Sequence, residues 1–107
     1  MNIEHVKTNI PKSWSFDYDL ETLHVREDGA VCLRHHGGIV VPVVERDGYL
    51  TLEAPEEVCA EVRRCFPNDA ESIIESLHYH SGHWSFTRWG MYVGIDLMRD
   101  GTVYIHS

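Results

Sequence analysis

Eight histidines stand among the 107 residues, and five of them fall in two short stretches where imidazole chemistry is available. The first stretch is His78-Tyr79-His80-Ser81-Gly82-His83. Imidazole nitrogens bind zinc well, and three of them with one water make a catalytic zinc arrangement. His78, His80 and His83 are therefore the candidate ligands for zinc or another transition metal. Their spacing opposes this on a helix, where positions two apart diverge by about 200°. It works only if the helix ends near His78 and the loop folds back. The competing reading is a polar helix terminus, which the helix dipole favours.

The second stretch is His35-His36-Gly37-Gly38. A histidine in a glycine-flanked loop can act as a general base or hold a phosphate. No nucleophile is paired with it in sequence, so the fold would have to bring Cys32, Asp96 or Tyr104 near. The same three residues with nearby aromatics would otherwise line a small-molecule site. Cys32, Cys59 and Cys65 read more readily as small buried hydrophobes than as nucleophiles, Cys65 above all because it falls on an apolar helix position.

The charge balance points elsewhere. Seventeen Asp and Glu stand against nine Lys and Arg, a net charge of −8 with neutral histidine. This argues against nucleic acid or an anionic membrane as a direct partner, since both attract positive charge. It suits a basic protein partner. Asp17, Asp19, Glu21, Glu57, Glu61 and Glu75 are the carboxylates expected to face it, and Trp89 with Arg88 is the expected anchor. No motif names a reaction, so a binding protein is favoured over an enzyme. The leading expectation is an inhibitor of a basic protein, of the immunity-protein or antitoxin kind or a DNA mimic. The alternatives are a small His-dependent or metal-binding enzyme and a small-molecule-binding domain. An odd number of cysteines without Cys-x-x-Cys predicts reduced thiols and a cytoplasmic setting. No apolar run is long enough to span a membrane, and the N-terminus lacks the apolar core of a signal peptide.

The elements that must position these residues begin with hairpins. Asp-Gly between apolar strands is a strong hairpin signal, because glycine accepts positive φ. It occurs at Asp28-Gly29, Asp47-Gly48 and Asp100-Gly101. A three-residue loop pairs apolar with apolar in every case: Val25 with Val31, Leu23 with Leu33, Val44 with Leu50, Pro42 with Leu52, Leu97 with Val103 and Ile95 with Ile105. A slip of one residue would turn every side chain to the other face. Trp-Ser-Phe occurs twice, at 14–16 and 84–86. Trp14, Phe16, Tyr18 and Leu20 alternate with Ser15, Asp17, Asp19 and Glu21. That predicts a strand with one buried face and a row of three carboxylates on the other. Pro42 predicts an edge strand or a bulge, and an edge is where a second copy could pair into a homodimer. Residues 1–12 are expected to be an extended lead-in.

Between the second and third hairpins the period changes. Pro55-Glu56-Glu57 opens a helix, Val58, Val62, Cys65 and Phe66 share one face of it, and Pro67 ends it. Asn68 with Glu71 caps a second helix, whose inward residues are Ala70, Ile73, Ile74 and Leu77 and whose stop is Gly82. The whole predicts one α+β domain over 1–107. Its antiparallel, strongly bent sheet of about six or seven strands is built from hairpins, with two consecutive helices packed on one side.

Overall fold

The computed structural model describes residues 2–106. The chain starts with helix α1 (Ile3–Asn9) and a 3-10 turn (Lys12–Phe16). Strands β1 (Tyr18–Val25), β2 (Val31–His35), β3 (Val40–Arg46) and β4 (Tyr49–Leu52) follow. Helices α2 (Glu56–Cys65) and α3 (Ala70–Ser76) come next, then strands β5 (His78–His80), β6 (His83–Arg88), β7 (Met91–Leu97) and β8 (Val103–His106). The α+β class and the helical pair are as expected. The single bent sheet is not: the strands form two antiparallel sheets, β1–β4 and β5–β8, each in sequence order.

The division falls at the seam between β4 and β5. There the Tyr79 N–H donates to the Thr51 hydroxyl at 2.7 Å, and the Trp84 indole donates to the Leu52 carbonyl at 3.2 Å. Arg46 donates to the carbonyls of Glu75 and Leu77, at 2.9 and 3.0 Å. Side chains bridge the seam where a backbone ladder would have made one sheet. A single apolar cluster nonetheless draws on both sheets and all three helices. At its centre Trp14, Tyr18, Tyr79 and Trp84 meet edge to face, with ring centroids 4.9–5.6 Å apart. Such pairs add roughly 0.5–1.5 kcal/mol each beyond the area they bury.

Several local expectations are corrected. The lead-in is helical over Ile3–Asn9: the Asn2 side chain accepts the His5 N–H at 2.9 Å, and Val6 is fully buried. The two Trp-Ser-Phe stretches differ. Residues 84–86 lie in β6, but Pro11 leads residues 14–16 into the 3-10 turn, where Trp14 is buried and Phe16 is exposed. β1 therefore starts only at Tyr18, and a register shift between Asp19 and His24 interrupts its pairing with β2.

The three-residue loop holds for two Asp-Gly hairpins, giving Val25 opposite Val31 and both Leu97–Val103 and Ile95–Ile105. At Asp47-Gly48 the loop has two residues, both at positive φ, so Val43 faces Leu52 and Val44 faces Thr51. That register buries Val43 and Leu52 together, and this outweighs matching Val44 to Leu50. β3 is an interior strand despite Pro42, so a second copy cannot pair along it. The Pro42 carbonyl accepts from Glu53 N, just past the last β3–β4 pair. In an antiparallel strand the N–H and C=O of one residue point the same way, so the donor proline lacks falls beyond the ladder's end.

In the helices Val58, Val62, Ala70, Ile73 and Leu77 are buried as expected, but Cys65 is exposed and Cys59 takes the inward place. Asp69, not Asn68, precedes α3, and it makes no side-chain cap bond. α3 stops at Ser76, six residues before the expected Gly82, because the chain enters β5 at once. Among the described residues no helix is long and apolar enough to cross a membrane.

Candidate functional site

The β6–β7 hairpin turns on Trp89-Gly90, both at positive φ (51° and 75°). Turns of this type favour Asn, Asp or Gly at the first position. Here a tryptophan occupies it, with 88% of its surface exposed. Arg88 stacks between Trp89 and Phe66, its guanidinium carbon 4.7 and 5.1 Å from the ring centroids, and pairs with Asp69. Beside the tip, Phe66, Arg88, Trp89, Met91, Val93 and Ile105 line an apolar groove of about 430 Å³. Met91 is more than half exposed at its mouth. The expected anchor pair thus stands at a projecting corner, where α2 ends and β6 turns.

The second sheet has one face in the core and one outside. Trp84, Phe86, Val93, Ile95 and Leu97 point inward. Strand alternation puts His78, His80, His83, Ser85, Tyr92, Gly94, Asp96, Tyr104 and His106 on the outer face. The three candidate metal ligands therefore share a face after all. They lie on strands, two apart on β5 and directly across at His80–His83, and not on a helix. His83 Nε2 meets the Tyr92 hydroxyl, and His106 Nε2 meets the Asp96 carboxylate. His78 and His80 also edge a cleft of about 550 Å³ that runs along the sheet seam past Trp14, Tyr49 and Thr51. As the side chains stand, no three of the described His, Cys, Asp and Glu residues converge on one metal position.

His35 is buried, 1% exposed. Its Nδ1 accepts the Gly37 N–H at 3.1 Å, the ring faces the Leu97 carbonyl, and Tyr18 lies edge-on at 5.2 Å. Burial pulls its pKa down, against the upward pull of Asp17. A Cβ on Gly37 would overlap the Arg99 carbonyl, so glycine lets the β2–β3 loop lie directly on the β7–β8 loop. His35 is thus a latch between loops, out of a substrate's reach. His36 is exposed, with Arg99 near its Nδ1 at 3.3 Å. Cys32 is buried in the first sheet and shares no face with Asp96 and Tyr104. All three thiols are raised in pKa, desolvation first, which is the reverse of thiolate activation.

The six carboxylates are spread over β1, α2, α3 and the residue before β1, and only half are unengaged. Asp17 sits outside β1 and accepts the Tyr79 hydroxyl at 3.0 Å. Asp19 pairs with Arg34, and Glu61 with Arg64. Glu21, Glu57 and Glu75 are exposed and carry no ion pair among the described residues. The cations are mostly spoken for: Lys7, Arg26, Arg34, Arg63, Arg64 and Arg88 each hold a carboxylate.

Phe66 and Met91 at the groove, and Tyr92 and His106 on the outer face, are not among the expected site residues. Period-two alternation along 91–97 and 103–106 was the available signal for the last two. Gly90 and Gly94, which interrupt the apolar run, signal a bulge or a close approach to the backbone, and at Gly94 the rings of His83 and His106 make that approach. Comparison with protein-family models, curated proteins and solved structures finds no match.

Proposed function

We propose that the protein is a binding module that docks on a basic protein partner, with Trp89 as the anchor of the contact. The observation that carries this is Trp89 itself. It is 88% exposed, in a backbone conformation that costs a non-glycine residue about 1–3 kcal/mol, beside an apolar groove. Folding alone gives no reason for that residue in that place. Tryptophan and arginine are the residue types that dominate contact energies when a partner covers them. The net charge of −8 supplies attraction, with Glu21, Glu57 and Glu75 free to contribute. In this reading the module acts in the cytoplasm as an inhibitor, of the immunity or antitoxin kind or as a DNA mimic.

The test is affinity capture from the source lysate by tag-free wild type and Trp89→Ala. It is run at about 0.05 M and about 0.5 M salt, across which the screening length shrinks roughly threefold. One basic protein held at low salt, weakened at high salt and lost with Trp89→Ala is the expected result. Capture indifferent to both salt and Trp89 would sink the reading.

A further inference from the structure

We propose that the outer face of the second sheet carries a divalent transition-metal site seated over Gly94, with His83, Asp96 and His106 as its ligands. The inference is independent of the docking reading and rests on the arrangement around one glycine. Gly94 is in the middle of β7, on the face turned away from the core, yet it is buried. What covers it are the rings of His83 from β6 and His106 from β8. A Cβ placed on Gly94 would stand 3.4 Å from His83 Cδ2, 3.7 Å from His83 Nε2 and 3.8 Å from His106 Cδ2. Two imidazoles from flanking strands thus lean over the same bare spot. Asp96, two residues along β7 and on the same face, already meets His106 Nε2.

Two imidazole nitrogens and a carboxylate are a ligand set that zinc and its neighbours take, with open positions left for water. Zn–N bonds are about 2.0–2.1 Å, so both rings must turn their Nε2 atoms toward the space above Gly94 to share one ion. The three groups do not converge as they stand, because His83 is turned to Tyr92 and Asp96 to His106. The ion gathers them by turning side chains. His106 and Asp96 are partly exposed, so their side chains are free to move. Any larger residue at Gly94 would fill the seat. Gly94 thereby acquires a reason beyond strand geometry, where glycine is otherwise a weak choice. The site differs from a cluster of His78, His80 and His83, with which it shares only His83.

The test is calorimetric titration of tag-free protein with Zn²⁺ near neutral pH, using wild type, Gly94→Val, His106→Ala and His78→Ala. The 3.4 Å spacing above Gly94 is ordinary contact, so Gly94→Val is expected to fold, and circular dichroism and metal-free melting check that it does. Wild type is expected to bind one Zn²⁺ per chain. Gly94→Val and His106→Ala should each weaken binding at least tenfold, and His78→Ala should leave it unchanged. The proposal is overturned if wild type shows no saturable binding or if His106→Ala binds like wild type. It also fails if the loss follows His78→Ala alone, which would move the ion to the β5–β6 hairpin. His106 lies at the surface, so its variant decides the matter even if Gly94→Val melts early.

Discussion

Tyr18 and Tyr79 touch in the core, their ring centroids 5.3 Å apart, but their hydroxyls are in opposite circumstances. Tyr79 donates to Asp17 at 3.0 Å, while the buried Tyr18 hydroxyl has no partner among the described residues. An unmade hydrogen bond on a buried group costs about 1–3 kcal/mol. Tyr18→Phe is therefore expected to hold or raise stability by up to about 1 kcal/mol, and Tyr79→Phe to lower it by about 1 kcal/mol, in urea denaturation. Equal losses in both would show that the Tyr18 hydroxyl is satisfied. His35 carries a pH dependence. Burial holds its folded pKa below 6.5, so under acid conditions the folded chain binds fewer protons there than the unfolded chain. The stability this contributes is present above 6.5 and is lost as pH falls through 6.5 toward the folded value. Urea midpoints of wild type and His35→Gln between about pH 8 and about pH 5 should converge toward acid; parallel curves would refute it. At Trp89, replacement by Asn relieves left-handed strain of about 1–3 kcal/mol and forfeits stacking on Arg88 worth roughly 0.5–1 kcal/mol. Trp89→Asn should melt higher than wild type, while a marked loss would mean that packing holds the tryptophan there.

Among the elements, the β4–β5 seam is the joint on which the two sheets depend. Thr51→Val keeps the shape of the side chain but leaves the Tyr79 N–H without its acceptor, at an expected cost of about 1–3 kcal/mol in urea denaturation. A loss below about 0.5 kcal/mol would show that another group takes that N–H. The seam was not legible in the sequence, because nothing local tells Thr51 from the other strand residues. Helices α2 and α3 were legible, since Pro55, Pro67 and the spacing of Val58, Val62, Ala70 and Ile73 are local signals. So were the loops at Gly29 and Gly101. The loop at Gly48 was misread because matching apolar pairs ignored which face the core would claim. The two Trp-Ser-Phe stretches show the same limit: one tripeptide takes a strand beside β7 and a 3-10 turn after Pro11. Helix α1 was missed although Ile3, Val6 and Ile10 have helical spacing after a capping Asn2. For the candidate sites, Trp89 stood out by breaking the alternating pattern. His78, His80 and His83 could be given a common face only once α3 was known to stop at Ser76.

At the scale of the whole molecule, charge and topology have separate consequences. Acid makes the net charge of −8 less negative, because imidazole is the side-chain type that gains a proton there. Capture of a basic partner should therefore weaken on going from neutral to mildly acid solution. Capture unchanged or stronger in acid would count against attraction by the acidic surface. Topology bears on how the chain reaches its fold. Every backbone ladder joins strands that are consecutive in the chain, so each meander can form from its own hairpins. Proteins rich in such local pairings escape the slow search for distant partners that delays most β structures. Refolding should be fast for a chain with eight strands, on the order of milliseconds. The joint between the meanders should close after the rate-limiting step. Thr51→Val would then quicken unfolding and leave the folding rate nearly untouched, whereas disrupting the Asp47-Gly48 turn would slow folding itself.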